Sequence, residues 1–268
     1  MKTARVAAAL APALLLALTA CGAESTPQNV TGATAGPAGV ADPSASADDS
    51  ETSTTSPAES ATDDSPMPAD GGCPEGGGKV PAKAAGAQVG DLDGDGAKDE
   101  LWLADTGNKR RLGVRTASGR VMSTVFQSGS PQSAVAVANR LGDGSAIILL
   151  STGRTAALYA VIDCEIVATK DKTGGQYTFD LGFGSYGTGV ACPMANDKLY
   201  LAGYLATAAE REGYENITRT RIDLSEEGAR ADNGTVAELG EHGNDSASAK
   251  IAHGVSCGDS GTAEEPVS

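Results

Sequence analysis

Alternation is the feature that most constrains this chain. Eight segments, "ELWLAD", "RVMSTVFQ", "SAVAVAN", "AIILLS", "AALYAVID", "QYTFDL", "KLYLAGYLA" and "ITRTRIDL", read as period-2 runs, and clusters of Gly, Asn, Asp and Ser separate them at short intervals. Apolar residues two apart share one face of a strand and no face of a helix. Outside the N-terminal leader no stretch keeps a 3.6-residue apolar period for three turns, so the sequence predicts an all-β domain.

The first twenty-two residues differ in kind. A basic start at Lys2 and Arg5, an apolar run from Val6 to Ala20 and small residues before Cys21 describe an export signal over residues 1–20. Leu18-Thr19-Ala20-Cys21 resembles the lipobox of bacterial lipoproteins. That resemblance implies cleavage before Cys21, a diacylglycerol thioether on its sulfur, and a protein anchored to the extracytoplasmic side of the cell membrane. Residues 22–72 contain no Lys, Arg, His or aromatic residue, and nine acidic ones. Such a segment lacks the apolar surface to offset its ordering entropy, so residues 21–72 read as a disordered, acidic, lipid-anchored linker.

Residues 73–258 form one globular segment, long enough to bury a real core, and residues 259–268, "DSGTAEEPVS", read as a frayed acidic tail. The formal net charge of −15 argues against a nucleic-acid partner. Four cysteines remain beyond the lipid site. In an exported chain they predict disulfides, and among the three pairings available Cys164 with Cys192 and Cys73 with Cys257 is the one expected here.

A repeat organises the domain. "AQVGDLDGDGAKDELWLADTG" has an echo in "VAVANRLGDGSAIILLSTG" and a fainter one in "TGVACPMANDKLYLAGY". Each is an apolar approach, a polar turn and an apolar strand, at a spacing of roughly 50 residues, which suits a four-stranded sheet unit. The first unit carries carboxylates at Asp91, Asp93, Asp95 and Asp99, with the backbone carbonyl of Ala97 between the last two. Like charges that close repel by roughly 3 kcal/mol per pair at an effective dielectric near 20, so the loop calls for a cation. Calcium takes six to eight oxygens in flexible geometry and suits alternating carboxylates spaced by glycine better than magnesium, which demands a stricter octahedron. The other two echoes, with Asp143 and Asp197, have too few acids.

Asp91 to Leu101 resembles the calcium loop of FG-GAP or VCBS repeats, the blades of integrin-α-type β-propellers, with Glu100 intervening one residue before the leucine that the family usually has next. Phe183-Gly184 and Leu201-Ala202-Gly203 are further traits of that family. The resemblance implies a propeller-like array of about three four-stranded blades, incomplete or stapled by a disulfide. It also implies one structural calcium ion on Asp91, Asp93, Asp95, Ala97 and Asp99.

Three patterns suggest chemistry and do not support it. "GDSG" at residues 258–261 follows a cysteine as in trypsin-like proteases, yet it falls in the expected tail, and neither His242 nor His253 lies in a matching motif. "ADTG" at residues 104–107 resembles the aspartic-protease turn, but the second repeat has Ser151-Thr152-Gly153 there, so a strand-ending turn explains both. "GFGSYG" at residues 182–187 is followed by no helix, as a dinucleotide site requires. Trp102, Tyr159, Tyr200 and Tyr204 lie on strand patterns and read as core. No catalytic residue is assigned. The function expected is a calcium-binding surface module with a cell-surface protein or a glycan as ligand. The alternative is a non-catalytic accessory or regulatory subunit of an envelope enzyme or transporter.

Overall fold

The structure, a computed structural model, describes residues 71–107, 109–127, 132–182 and 188–266. The signal segment, Cys21, the linker up to residue 70 and Phe183-Gly184 lie outside the described residues.

Three open antiparallel meanders follow one another along the chain. The first comprises β2 (Ala85–Gln88), β3 (Glu100–Asp105), β4 (Arg110–Arg115) and β5 (Arg120–Phe126), with β1 (Gly76–Gly77) parallel to β5 at its edge. In the second, β6 (Val135–Arg140), β7 (Ala146–Ser151) and β8 (Thr155–Ile162) pair in order. Then β9 (Glu165–Ala168) and β10 (Thr178–Asp180) share the free edge of β8 at its two ends. The third runs β11 (Thr188–Ala191), β14 (Ala202–Ala208), β15 (Tyr214–Ser225) and β16 (Arg230–Gly243). A small hairpin, β12 (Met194–Ala195) with β13 (Lys198–Leu199), fills the connection after β11. Helix α1 (Ala247–Ala252) and strand β17 (Ala263–Glu264) complete the chain. Each echo of the repeat forms the first hairpin of its sheet: β2–β3, β6–β7 and β11–β14.

The sheets pack face on face. Leu101, Leu103, Leu112 and Val114 of the first meet Ala136, Ile148, Leu150 and Tyr159 of the second in one core. Ile147, Leu149 and Leu158 point the other way, against Val190, Leu201 and Ile222 of the third. Buried on both faces, β7 has no place for a polar residue between its apolar ones. "AIILLS" is therefore a continuous apolar run in place of the alternation read for it. The outer face of the third sheet is covered by α1 through Ala249 and Ala252. Trp102 is 1 % exposed, a core residue as its strand pattern predicts. Its ring lies over Gly113, the residue directly opposite on β4, where a Cβ would fall 2.0 Å from Cζ2, so only glycine fits.

Two expectations are corrected. The disulfides are Cys73–Cys164 and Cys192–Cys257, with Cα–Cα distances of 5.7 and 4.3 Å, in place of Cys164–Cys192 and Cys73–Cys257. Cys164 occupies the two-residue turn between β8 and β9, where it and Asp163 both take positive φ, and this turn meets the chain entering the first sheet. Cys192 follows β11, whose Val190 bridges Val255, which brings Cys257 alongside. The segment from residue 259 to 266 is not frayed. Gly261 N–H donates to Gln88 O, β17 pairs with β6, and Ala263 is buried in the first core. Glu265, 7 % exposed, accepts from Arg110 Nε at 2.7 Å and from Ala134 N–H at 2.9 Å. A buried carboxylate needs such partners, and this ion pair is what lets an acidic end join the sheet.

Candidate metal centre

The acidic loop connects β2 to β3, with strands on both sides where an EF-hand has helices. Leu92 anchors it: its side chain is 1 % exposed in the core between the first two sheets, which turns the flanking Asp91 and Asp93 toward the loop's own centre. Gly94 and Gly96, at φ of +86° and +85°, supply the left-handed backbone that the reversal requires. Asp99 returns the chain to β3 and is 1 % exposed.

This wrap brings oxygens of Asp91, Asp93 and Asp99 within 4.8 Å of one another. Each carboxylate is oriented by backbone N–H groups. Asp91 accepts from Gly94 (2.6 Å) and Gly96 (3.0 Å), and Asp99 from Leu92 (2.7 Å) and Ala117 (3.0 Å). Asp93 accepts from Cys73 at 2.8 Å and Asp95 at 3.4 Å. A carboxylate has about four lone-pair sites, so each keeps acceptor capacity for an ion. Asp95 stands apart from the group; its Oδ1 accepts the N–H of exposed Ala97 at 2.7 Å.

The charge of the three carboxylates has no ion-pair partner among the described residues. Arg140, whose guanidinium reaches this loop, is engaged by backbone carbonyls. It donates to Asp91 O at 3.1 Å, Leu92 O at 2.7 Å and Gly144 O at 2.8 Å, and so braces the loop from the turn of the second repeat. Burial raises the Asp99 carboxyl to about 6; the Leu92 and Ala117 N–H groups oppose that rise, and the charges of Asp93 and Asp91 add to it. Its two oxygens each accept one backbone N–H, from Leu92 and from Ala117. What the arrangement can do is hold a hard cation.

The bracing groups escaped sequence reasoning. Cys73, Ala117 and Arg140 come from distant parts of the chain, and no local pattern links them to the loop.

Two of the three short patterns lie within the described residues; "GFGSYG" lies outside them from residue 183 on. Asp105 Oδ1 accepts the Gly107 N–H at 2.7 Å and Ser151 Oγ accepts the Gly153 N–H at 3.3 Å, so both are strand-ending turns. Ser260, in an ordered segment after all, takes the Ala138 N–H and donates to Gly261 O. The imidazoles are engaged elsewhere, His253 with Glu215 and His242 with Leu239 O.

Set against models of known protein families, curated proteins and solved structures, the chain finds no match.

Proposed function

We propose that the acidic loop, residues 91–99, binds one structural calcium ion and that the domain is a lipid-anchored, surface-displayed binding module of the FG-GAP/VCBS type. The observation that carries the metal assignment is the meeting of three oriented carboxylates within 4.8 Å without a compensating cation. Two of them, Asp91 and Asp93, are half-buried and reachable by an ion. Calcium is favoured over magnesium because the donors are irregularly placed and already share their lone pairs with N–H groups, which a strict octahedron tolerates poorly. The ion would neutralise the loop and hold the β2–β3 connection. That role serves the fold, and no reaction is assigned to it. A protein or glycan is the ligand class proposed, and the net charge of −15 argues against nucleic acid.

The test is thermal unfolding of the mature chain, disulfides intact, in calcium and in chelator. For extracellular-type affinities of about 10⁻⁴ to 10⁻³ M, about 2 mM calcium stabilises by roughly 0.6 to 2 kcal/mol. That is a rise in Tm of roughly 1 to 7 °C for a domain of this size. Asp93→Ala should abolish the rise. Identical melting of the wild type in calcium and chelator would overturn the assignment. The anchor rests on residues 18–21 and is tested separately: Cys21→Ser should shift the protein from the membrane fraction to the soluble one, and retention on the membrane would refute it.

A further inference from the structure

The β15–β16 ladder contains a bulge. Thr220 pairs with Val236 and Ile222 with Asn233, which leaves Gly234 and Thr235 opposite the single residue Arg221, with no register partner of their own. Asn233 is exposed, and it is the one asparagine in the chain that a glycine follows.

Three features converge on this dipeptide. The Tyr177 hydroxyl donates a hydrogen bond to Asn233 Oδ1. The Asp223 carboxylate lies against Gly234, where a Cβ would fall 2.2 Å from Oδ2, and Arg221 Nε holds that carboxylate at 3.3 Å. Gly234 itself presents no side chain to hinder approach to its nitrogen. An amide carbonyl polarised by a donor, a carboxylate beside the neighbouring residue and an unhindered nitrogen are the elements of an intramolecular acyl transfer.

We propose that the Asn233-Gly234 dipeptide is a self-modification site at which the folded protein converts its own asparagine to an aspartyl or isoaspartyl residue. The Gly234 amide nitrogen attacks Asn233 Cγ as its proton passes to Asp223. A new N–Cγ bond forms, and Tyr177 stabilises the oxyanion that develops on Oδ1. The Cγ–Nδ2 bond then breaks and Nδ2 leaves as ammonia, taking the proton back from Asp223. The product is a five-membered succinimide. Water, the only co-reactant, adds to either ring carbonyl and opens it. One opening leaves an ordinary aspartyl residue in place of the asparagine; the other leaves an isoaspartyl linkage, which adds a methylene to the backbone of β16. Burial, with the charges of Asp232 and Asp171, pushes the Tyr177 phenol up to about 12, so its hydroxyl remains a donor in mildly alkaline solution. The conversion places a new carboxylate beside Asp232 in the groove between the second and third sheets. This groove, about 440 Å³, is lined by Tyr177, Phe179, Leu205 and Asn233.

The reaction is followed by peptide mapping of the full mature protein, disulfides intact, during incubation in mildly alkaline buffer. A gain of one dalton should appear at Asn233, with isoaspartate detected by enzymatic methylation, and it should appear faster in the native protein than in the same protein held unfolded in urea. Gly234→Ala should suppress it. Asp223→Asn and Tyr177→Phe should each slow it by about tenfold, below the roughly 10²-fold that positioned acid–base and donor groups supply in enzyme sites because this pair is solvent-exposed. Conversion that is no faster in the native state than in urea, or that proceeds at the wild-type rate in both the Asp223→Asn and Tyr177→Phe proteins, would overturn the proposal.

Discussion

Replacing both Cys73 and Cys164 by alanine is expected to lower the unfolding free energy by about 4.5 kcal/mol, the chain-entropy value for a closed loop of this length. The two cysteines are 91 residues apart in sequence, and the bridge joins the entry of the first sheet to the β8–β9 turn of the second. The consequence reaches beyond entropy. Cys73 is buried in the core between these sheets, its N–H holds Asp93, and its carbonyl accepts from Ser118 Oγ. At roughly 2 to 4 °C per kcal/mol for a domain of this size, Tm should fall by roughly 10 to 18 °C. Chemical denaturation of the double variant against the wild type checks the magnitude, and non-reducing peptide mapping checks the pairing. A loss below about 1 kcal/mol would mean that the strand ladders alone fix the two sheets and that the loop-closure account fails here. Recovery of a Cys73–Cys257 peptide would contradict the fold itself.

That pairing shows where sequence reading stops. The all-β class and the three units were legible because alternation and repeat spacing are local properties of the chain. Pairing is not local. Nothing in the spacing of Cys73, Cys164, Cys192 and Cys257 states which turn approaches which strand. The C-terminal segment was illegible for a related reason: "AEEPV" is acidic and short, and only the approach of Arg110 from a strand 155 residues away turns Glu265 into a buried partner. "AIILLS" was legible as a strand and misleading as to its faces. A fully apolar run signals burial on both sides, and the sheet it belongs to is the middle layer of three.

In the candidate metal centre, the alternating aspartates were legible and their division of labour was not. Asp91, Asp93 and Asp95 follow one another at every second position, which suggests equivalence. The left-handed turns at Gly94 and Gly96 break it, sending Asp95 to cap Ala97 and leaving Asp99 to complete the group. Two of the orienting donors carry no sequence signal: Ala117 is 18 residues from Asp99, and Cys73 is 20 from Asp93.

The buried member of that group fixes the sign of the second large effect. With its carboxyl raised from 3.8 to about 6 in the folded protein, Asp99 binds a proton more tightly folded than unfolded. Stability in chelator should therefore be highest below about pH 4 as far as Asp99 is concerned. It should fall as pH rises through about 6, by at most about 3 kcal/mol for this one group. A cation reverses the sign, since it occupies the place of the proton and favours the ionised carboxylate. The stabilisation by calcium should therefore be near zero at about pH 4, where the proton already relieves the repulsion, and should grow through about pH 6 to a plateau near neutrality. Asp99→Asn, unable to ionise, should flatten the chelator profile over this range and remove the growth with pH. Melting temperatures in calcium and in chelator across the range decide the matter. A calcium-induced shift of equal size at both ends would dissociate the ion from Asp99 and place it elsewhere on the acidic surface. A shift that tracks the titration would tie the ion to the one buried carboxylate of the loop.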